Sequence, residues 1–148
     1  DTPYTPAHLL VRGLRVTLDM LLSEGIENVW KRVAAMAAAT RAAAEAIGVQ
    51  VFSKRPSDSV TALTVPAGVN EKDLRKKLRE RYGIHIAGGQ DSLEGKIIRI
   101  SQMGFIDAVD TIGTIAALEQ VLHSLGHSFS LGAGVTAAQK VFAERMKP

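Results

Sequence analysis

One arginine lies in a segment that is otherwise apolar, and its surroundings raise the first chemical question in the sequence. Arg99 stands between Ile98 and Ile100, in a run typical of a β-strand. A permanently charged guanidinium in such a run needs an anion to offset its desolvation, and its planar pair of donors matches a carboxylate. Two interpretations are open. Arg99 recognises an α-carboxylate in a cleft, or it is an edge-strand arginine in water or paired with an internal acid, which the pattern alone favours.

Glycines bracket the loop that precedes this strand. Gly88, Gly89 and Gly95 would let the backbone pass close to another surface or reach positive φ. A phosphate-cradling loop is one interpretation. However, no G-x-G-x-x-G or G-K-[ST] pattern follows, so the spacing favours an ordinary hairpin loop.

Hydroxyl-bearing residues alternate with prolines at the start of the chain. Thr2, Tyr4 and Thr5 lie in an extended segment that could present hydroxyls and amides to an anion. The same residues fit helix capping by Thr5, with Pro6 at the first helical position. The two roles are compatible.

Composition and motifs argue against several other chemistries. The 148 residues include no cysteine, which excludes disulfides, thiolate metal sites and cysteine nucleophiles. The four histidines form no H-E-x-x-H pair, and no serine-hydrolase elbow occurs, so we expect neither a metal site nor a hydrolase. The basic cluster at 75–81 is interleaved with acids, which indicates a solvated helix face and no nucleic-acid site. No apolar run approaches the ~20 residues that cross a bilayer, and no secretory signal is present, so we expect a soluble, cytoplasmic protein.

Periodicity and turn residues predict five helices and four strands. The helices are expected at 7–22, 26–47, 70–82, 107–122 and 135–146, and the strands at 49–52, 60–65, 84–87 and 96–101. In the fourth helix, the buried stripe should consist of six apolar residues: Val109, Ile112, Ile115, Leu118, Val121 and Leu122.

This order predicts an α+β fold, with a small, largely antiparallel sheet covered by helices on one face. The helix at 70–82 allows its flanking strands to run parallel, while the glycine-containing loop before Arg99 allows an antiparallel hairpin. We expect one domain at 1–125, followed at 126–148 by a Ser-Gly-rich linker and a short helix that could extend onto a partner. The start without methionine suggests the middle of a longer polypeptide.

Several segments, in this order, resemble the C-terminal domain of class V pyridoxal-phosphate-dependent aminotransferases, particularly the alanine–glyoxylate or serine–pyruvate type. The resemblance covers 1–125 and rests on four segments: T-P-Y-T-P at 2–6, G-I-E-N-V-W at 25–30, I-A-G-G at 86–89 and G-K-I-I-R-I-S-Q-M-G at 95–104. It implies a homodimeric enzyme that uses pyridoxal 5'-phosphate to move an amino group from an amino acid to a 2-oxo acid. It further implies that Arg99 binds the substrate carboxylate and that Thr5 reaches the cofactor phosphate of the neighbouring subunit. The resemblance therefore reverses the preference stated above for Arg99.

Two departures from the family limit what this chain can do. Members commonly carry a histidine just past the arginine, where this chain has Gln102. The lysine that forms the Schiff base belongs to a large domain, and no lysine here matches it, so we expect no catalytic residue in this chain and no activity from it alone. The alternative is a non-catalytic module that binds amino acids or serves assembly.

Overall fold

The computed structural model describes residues 4–145 and divides the chain into two compact units between Arg32 and Val33. The first unit contains α1 (His8–Glu24) and the beginning of α2 (Ile26–Ala46). The second contains the rest of α2 and all of the remaining elements. The candidate site is built in this second unit.

Helix α1 presents its leucines to solvent. Gly25, with φ 82°, ends the helix where the sequence predicted a break. The predicted apolar face is exposed along its length, from 83% at Leu9 to 39% at Leu21, and no residue of α1 is buried. Within the described residues, α1 therefore carries an uncovered apolar stripe.

The sheet has three strands, and the arginine-bearing strand is the central one. These strands are β1 (Val60–Thr64), β2 (Ala87–Gly88) and β3 (Ile97–Ser101), in the order β1-β3-β2. Both pairings are antiparallel. The α+β prediction with a largely antiparallel sheet is confirmed.

Two predicted strands are shorter than expected because adjacent helix ends use their backbone groups. The amide of Val49 donates to the Ala44 carbonyl at 2.8 Å, so the predicted strand at 49–52 is reduced to an isolated bridge between Val51 and Leu63. The amide of Ile84 likewise donates to the carbonyl of Leu78, six residues back in the preceding helix, at 3.2 Å. Strand β2 consequently begins at Ala87, later than predicted.

Helices α3 and α4 begin at clear capping residues. Helix α3 (Glu71–Tyr82) follows Asn70, whose side chain accepts from two backbone amides of the first turn at 2.9 and 3.1 Å. Helix α4 (Ala108–Ser124) follows Asp107, which forms a capping box with Asp110. The last helix, α5 (Ala133–Arg145), completes the second unit.

Helices α3 and α4 cover one face of the sheet. Leu63 of β1 and Ile98 of β3 are paired, and they pack with buried residues of these helices: Leu74, Leu78, Leu118, Val121 and Leu122. Since side chains alternate along a strand, Arg99 belongs to the opposite face from Ile98. The core therefore fixes β3 from the Ile98 side and places Arg99 on the other face of the sheet.

One residue of the predicted α4 stripe is misplaced. Val109 is 76% exposed, whereas Thr111, four residues before Ile115, is buried in its place. Residues four apart share a helix face, and residues six apart do not. The prediction for Val109 is wrong because the predicted stripe of buried residues reached one turn too close to the N-terminal end of α4.

Helix α5 is tied to α4 by a buried carboxylate. Glu119, 2% exposed, accepts hydrogen bonds from the amides of Gly132, Gly134 and Val135 at 2.5, 2.7 and 3.1 Å. Ala138 and Phe142 of α5 are buried in the same unit. The segment expected to serve as a linker is thus bonded to α4, and the short helix after it packs within the second unit.

We expect Glu119→Ala to lower the free energy of unfolding by about 2–4 kcal/mol, because it leaves buried amides without acceptors. Glu144→Ala, at an exposed acid of α5, should change it by less than ~0.5 kcal/mol. Urea unfolding followed by circular dichroism measures both variants. Equal effects would show that the Glu119 contacts do not hold α5.

Candidate substrate-binding site

Arg99 lies on the central strand between small neighbours. Its backbone pairs with Ala62 of β1 on one side and with Ala87 of β2 on the other. Cross-strand partners lie on the same face of a sheet, so both cross-strand neighbours of the long arginine side chain are small alanine methyl groups. The alternative interpretation of Arg99 as an edge-strand arginine fails, since β2 lies outside β3.

One end of the Arg99 guanidinium is anchored. Its Nε donates to the backbone carbonyl of Gly88 at 2.9 Å, and the residue is half-buried. Within residues 4–145, no carboxylate lies within 4.0 Å of this guanidinium. The interpretation that Arg99 pairs with an internal acid therefore fails for the described part of the chain. An anchored Nε leaves the two terminal amino groups to form the pair of donors that a carboxylate needs.

A buried carboxylate lies against the glycine that anchors Arg99. Glu71, at the first position of α3, is 4% exposed and forms an ion pair with Arg75 one turn later. A Cβ added to Gly88 would overlap the Glu71 carboxylate and lie 3.1 Å from Nε of Arg75. Gly88 is thus required for close approach to α3. Sequence analysis missed Glu71 and Arg75, because their i,i+4 spacing resembles an ordinary surface pair.

The second glycine of the pair has a different neighbour. A Cβ on Gly89 would overlap the backbone carbonyl of Leu93, inside the single 3-10 turn at Asp91–Leu93. Neither Gly88 nor Gly89 has positive φ. The paired glycines therefore serve close packing of the hairpin loop, as the spacing favoured.

Gln102 is a buried cross-link between three elements. Its side-chain oxygen accepts from the Thr61 hydroxyl of β1 at 3.4 Å, and its amide nitrogen donates to the Thr40 hydroxyl of α2 at 3.3 Å. It is 1% exposed. Gln102 thus joins the end of β3 to β1 and α2.

Thr5 lies in the first unit, and it does not cap α1. The N-cap position falls on Ala7, without a side-chain hydrogen bond, so the predicted capping by Thr5 with Pro6 is wrong. Thr5 itself is exposed, in a segment without regular structure. Thr2 lies outside the described residues.

Two other kinds of feature are absent from the described residues. No group of three or more His, Asp or Glu side chains in residues 4–145 is placed to hold a metal ion. No helix in the same part of the chain combines the length and apolar character of a membrane span.

We expect Gly88→Ala to lower the free energy of unfolding by about 1–3 kcal/mol and to shift the NMR signal of the Arg99 Nε–H group, because the new methyl group displaces the carbonyl that this group bonds. Loss of the signal in Arg99→Lys would assign it. Urea unfolding and ¹⁵N NMR of the side chain measure the two effects.

Two further variants separate the contact from a general effect of alanine. In a Glu71→Ala background the cost of Gly88→Ala should be smaller, since the overlapping carboxylate is gone. Gly113→Ala in α4, where an added Cβ meets nothing within 4 Å, should not destabilise the fold. An equal cost of Gly88→Ala with and without Glu71 would contradict the packing described here.

The comparisons with known proteins agree with this architecture. No family model matches the sequence. A serine–glyoxylate aminotransferase of Hyphomicrobium methylovorum is 38% identical over 145 residues, which cover 96% of this chain and 36% of that protein. A protein of Anabaena cylindrica named soluble hydrogenase 42 kDa subunit is 40% identical over 145 residues, covering 96% and 38% respectively. The crystal structure of pyridoxamine–pyruvate aminotransferase from Mesorhizobium loti matches with a TM-score of 0.91 at 36% identity, covering 97% of this chain and 38% of that one.

The chain belongs to the class V aminotransferases and corresponds to their small, C-terminal domain. The resemblance inferred from the sequence is confirmed at this level. The chain spans 36% and 38% of the length of the two curated relatives described. Because one of them is named for a different activity, similarity identifies the family and leaves the reaction to be proposed.

Proposed function

We propose that this chain is part of a pyridoxal-phosphate-dependent aminotransferase in which Arg99 binds the carboxylate of the substrate. The observation that supports this most is the half-buried guanidinium, anchored by Nε on the Gly88 carbonyl at 2.9 Å. A guanidinium held at Nε keeps its two terminal amino groups in one plane, which suits the two oxygens of a carboxylate.

The proposed reaction transfers an amino group between an amino acid, such as alanine or serine, and a 2-oxo acid, such as glyoxylate or pyruvate. Both substrates carry a carboxylate on the carbon next to the reacting one. A single arginine can therefore hold either substrate in the same position, so that the amino acid and the 2-oxo acid react at one place.

The cofactor of the proposed enzyme is pyridoxal 5'-phosphate, which withdraws electrons from the reacting carbon when bound. Among the residues of this chain, we propose Thr5 as a donor to the cofactor phosphate of the neighbouring subunit. Its exposed position, in a segment without regular structure before α1, supports this role. No residue of this chain is proposed as catalytic.

The partners we propose are a large cofactor-binding domain of the same polypeptide and a second subunit, in the cytoplasm. The relatives are more than twice as long as the matched segment, which gives room for such a domain. The uncovered stripe of α1, with Leu9 83% and Leu22 79% exposed, is the surface that we assign to the large domain. Burying such a stripe would contribute favourably to association.

In the full-length enzyme, Arg99→Ala should lower kcat/KM by about 30- to 900-fold, which corresponds to roughly 2–4 kcal/mol of lost binding. Arg99→Lys should lie between wild type and Arg99→Ala, because lysine keeps the charge and loses the planar pair of donors. Steady-state kinetics with alanine and glyoxylate measure both variants.

A substrate without a carboxylate makes this test specific. In the half-reaction that consumes the amine, followed without a 2-oxo acid, Arg99→Ala should react with ethylamine about as fast as the wild type, because ethylamine has no carboxylate for Arg99 to bind. Arg81→Ala, at an exposed arginine of α3, should change kcat/KM by no more than ~2-fold with either substrate. An equal loss with alanine and ethylamine would remove Arg99 from carboxylate recognition.

The isolated 148-residue chain should transfer no amino group when supplied with pyridoxal phosphate, alanine and glyoxylate. Borohydride treatment should give no stoichiometric cofactor adduct on one lysine, since the Schiff-base lysine is expected in the large domain. Amino-acid assays and mass spectrometry after trypsin digestion detect these products. A full adduct on a single lysine would contradict the division of roles, whereas tight amino-acid binding without cofactor would favour the binding-module alternative.

A further inference from the structure

Helix α3 carries a row of basic side chains that the proposed function does not use. These side chains line a shallow pocket of about 180 Å³, together with two residues of the segment before β2. The lining consists of Lys72, Arg75, Lys76, Arg79, His85 and Ile86. No acidic residue takes part in it. The sequence indicated only a solvated helix face here. Acidic residues are interleaved with the basic ones along the chain, so the sequence did not show that the basic side chains share one side of α3.

Only half of the four lysine and arginine charges in this pocket are compensated. Lys72 pairs with Glu94 at 3.2 Å, and Arg75 pairs with the buried Glu71. Among residues 4–145, no carboxylate lies within 4.0 Å of the charged groups of Lys76 or Arg79. Like charges three and four residues apart destabilise a helix slightly. A bound anion would relieve this repulsion.

The number of uncompensated charges favours a doubly charged ligand. A phosphate group carries about −1.5 to −2 at pH 7 and offers three acceptor oxygens. A single carboxylate would compensate only one of the two free cations. The pocket volume equals about six water molecules at ~30 Å³ each, enough for a phosphate group with a few further atoms.

The side chains around the pocket also suit such a ligand chemically. Arg79 provides a planar pair of donors and Lys76 a compact point charge, the two kinds of cation that bind phosphate in proteins. Ile86 gives the pocket one apolar wall, against which a carbon skeleton can lie. We therefore propose that this pocket, between α3 and the segment before β2, binds a small phosphate-bearing molecule through Lys76 and Arg79.

Titration of the 148-residue chain tests this inference without reference to transamination. Inorganic phosphate and pyrophosphate are added at constant low ionic strength, with acetate as the singly charged control. We expect saturable shifts in ¹⁵N NMR signals of α3 and of His85 and Ile86, larger for pyrophosphate, and no saturation with acetate. Absence of saturable shifts at these residues would overturn the proposal.

Two charge-matched variants separate a pocket from a general charge effect. Lys76→Glu with Arg79→Glu should weaken pyrophosphate binding by about tenfold or more. Lys140→Glu with Arg145→Glu, at exposed positions of α5, gives the same change in net charge and should alter binding by no more than ~2-fold. An equal loss in both pairs would overturn the proposal.

Two further controls complete the test. Circular dichroism checks the fold of each variant, and Lys76→Gln with Arg79→Gln replaces the first pair if that pair unfolds. A single-stranded DNA oligonucleotide that binds through the same two residues, and more tightly than pyrophosphate, would overturn the small-molecule assignment in favour of nucleic acid.

Discussion

The central position of β3 in the sheet is the constraint on which the candidate site depends. With a strand on each side, Arg99 lies in register between Ala62 and Ala87, and its side chain is committed to one face. The alanines at 62 and 87 keep the two cross-strand positions beside Arg99 small. Behind the strand, Ile98 and Leu63 pack on α3 and α4, so the position of Arg99 follows from the core. An edge arginine could turn into water, whereas this one lies next to the Gly88 carbonyl.

Packing around β2 links this site to α3. Gly88 bonds Arg99 through its carbonyl, and its missing side chain leaves room for the buried Glu71 carboxylate. Glu71 in turn is held by Arg75, which also lines the basic pocket. At the other end of β3, Gln102 joins the strand to β1 and α2 through hydroxyl groups. The strand that carries the proposed carboxylate contact is therefore supported at both ends by buried polar groups, whose removal is costly in a dry interior.

Much of the fold could be predicted from sequence because local signals were strong. Asn70 and Asp107 each mark a helix start, and β3 has the composition of a buried strand. Predictions failed where one backbone group had two alternative hydrogen-bond partners. The amide of Ile84, for example, donates to a carbonyl at the end of α3, and it is therefore not available to extend β2. The support of Arg99 could not be predicted, since Glu71 and Gly88 are distant in sequence and no periodicity relates them. The chemistry proposed for Arg99 rests on the resemblance of several segments, in their order along the chain, to the aminotransferase family. The structure adds the hydrogen bond that anchors its Nε.

The central claim is that Arg99 holds the substrate carboxylate, and a crystal structure of the full-length protein with pyridoxal phosphate and a bound 2-oxo acid tests it most directly. The account predicts that both carboxylate oxygens lie about 3 Å from the two terminal nitrogens of Arg99, with Nε still bonded to the Gly88 carbonyl. A carboxylate held by other side chains, with Arg99 turned away from it, would contradict the account.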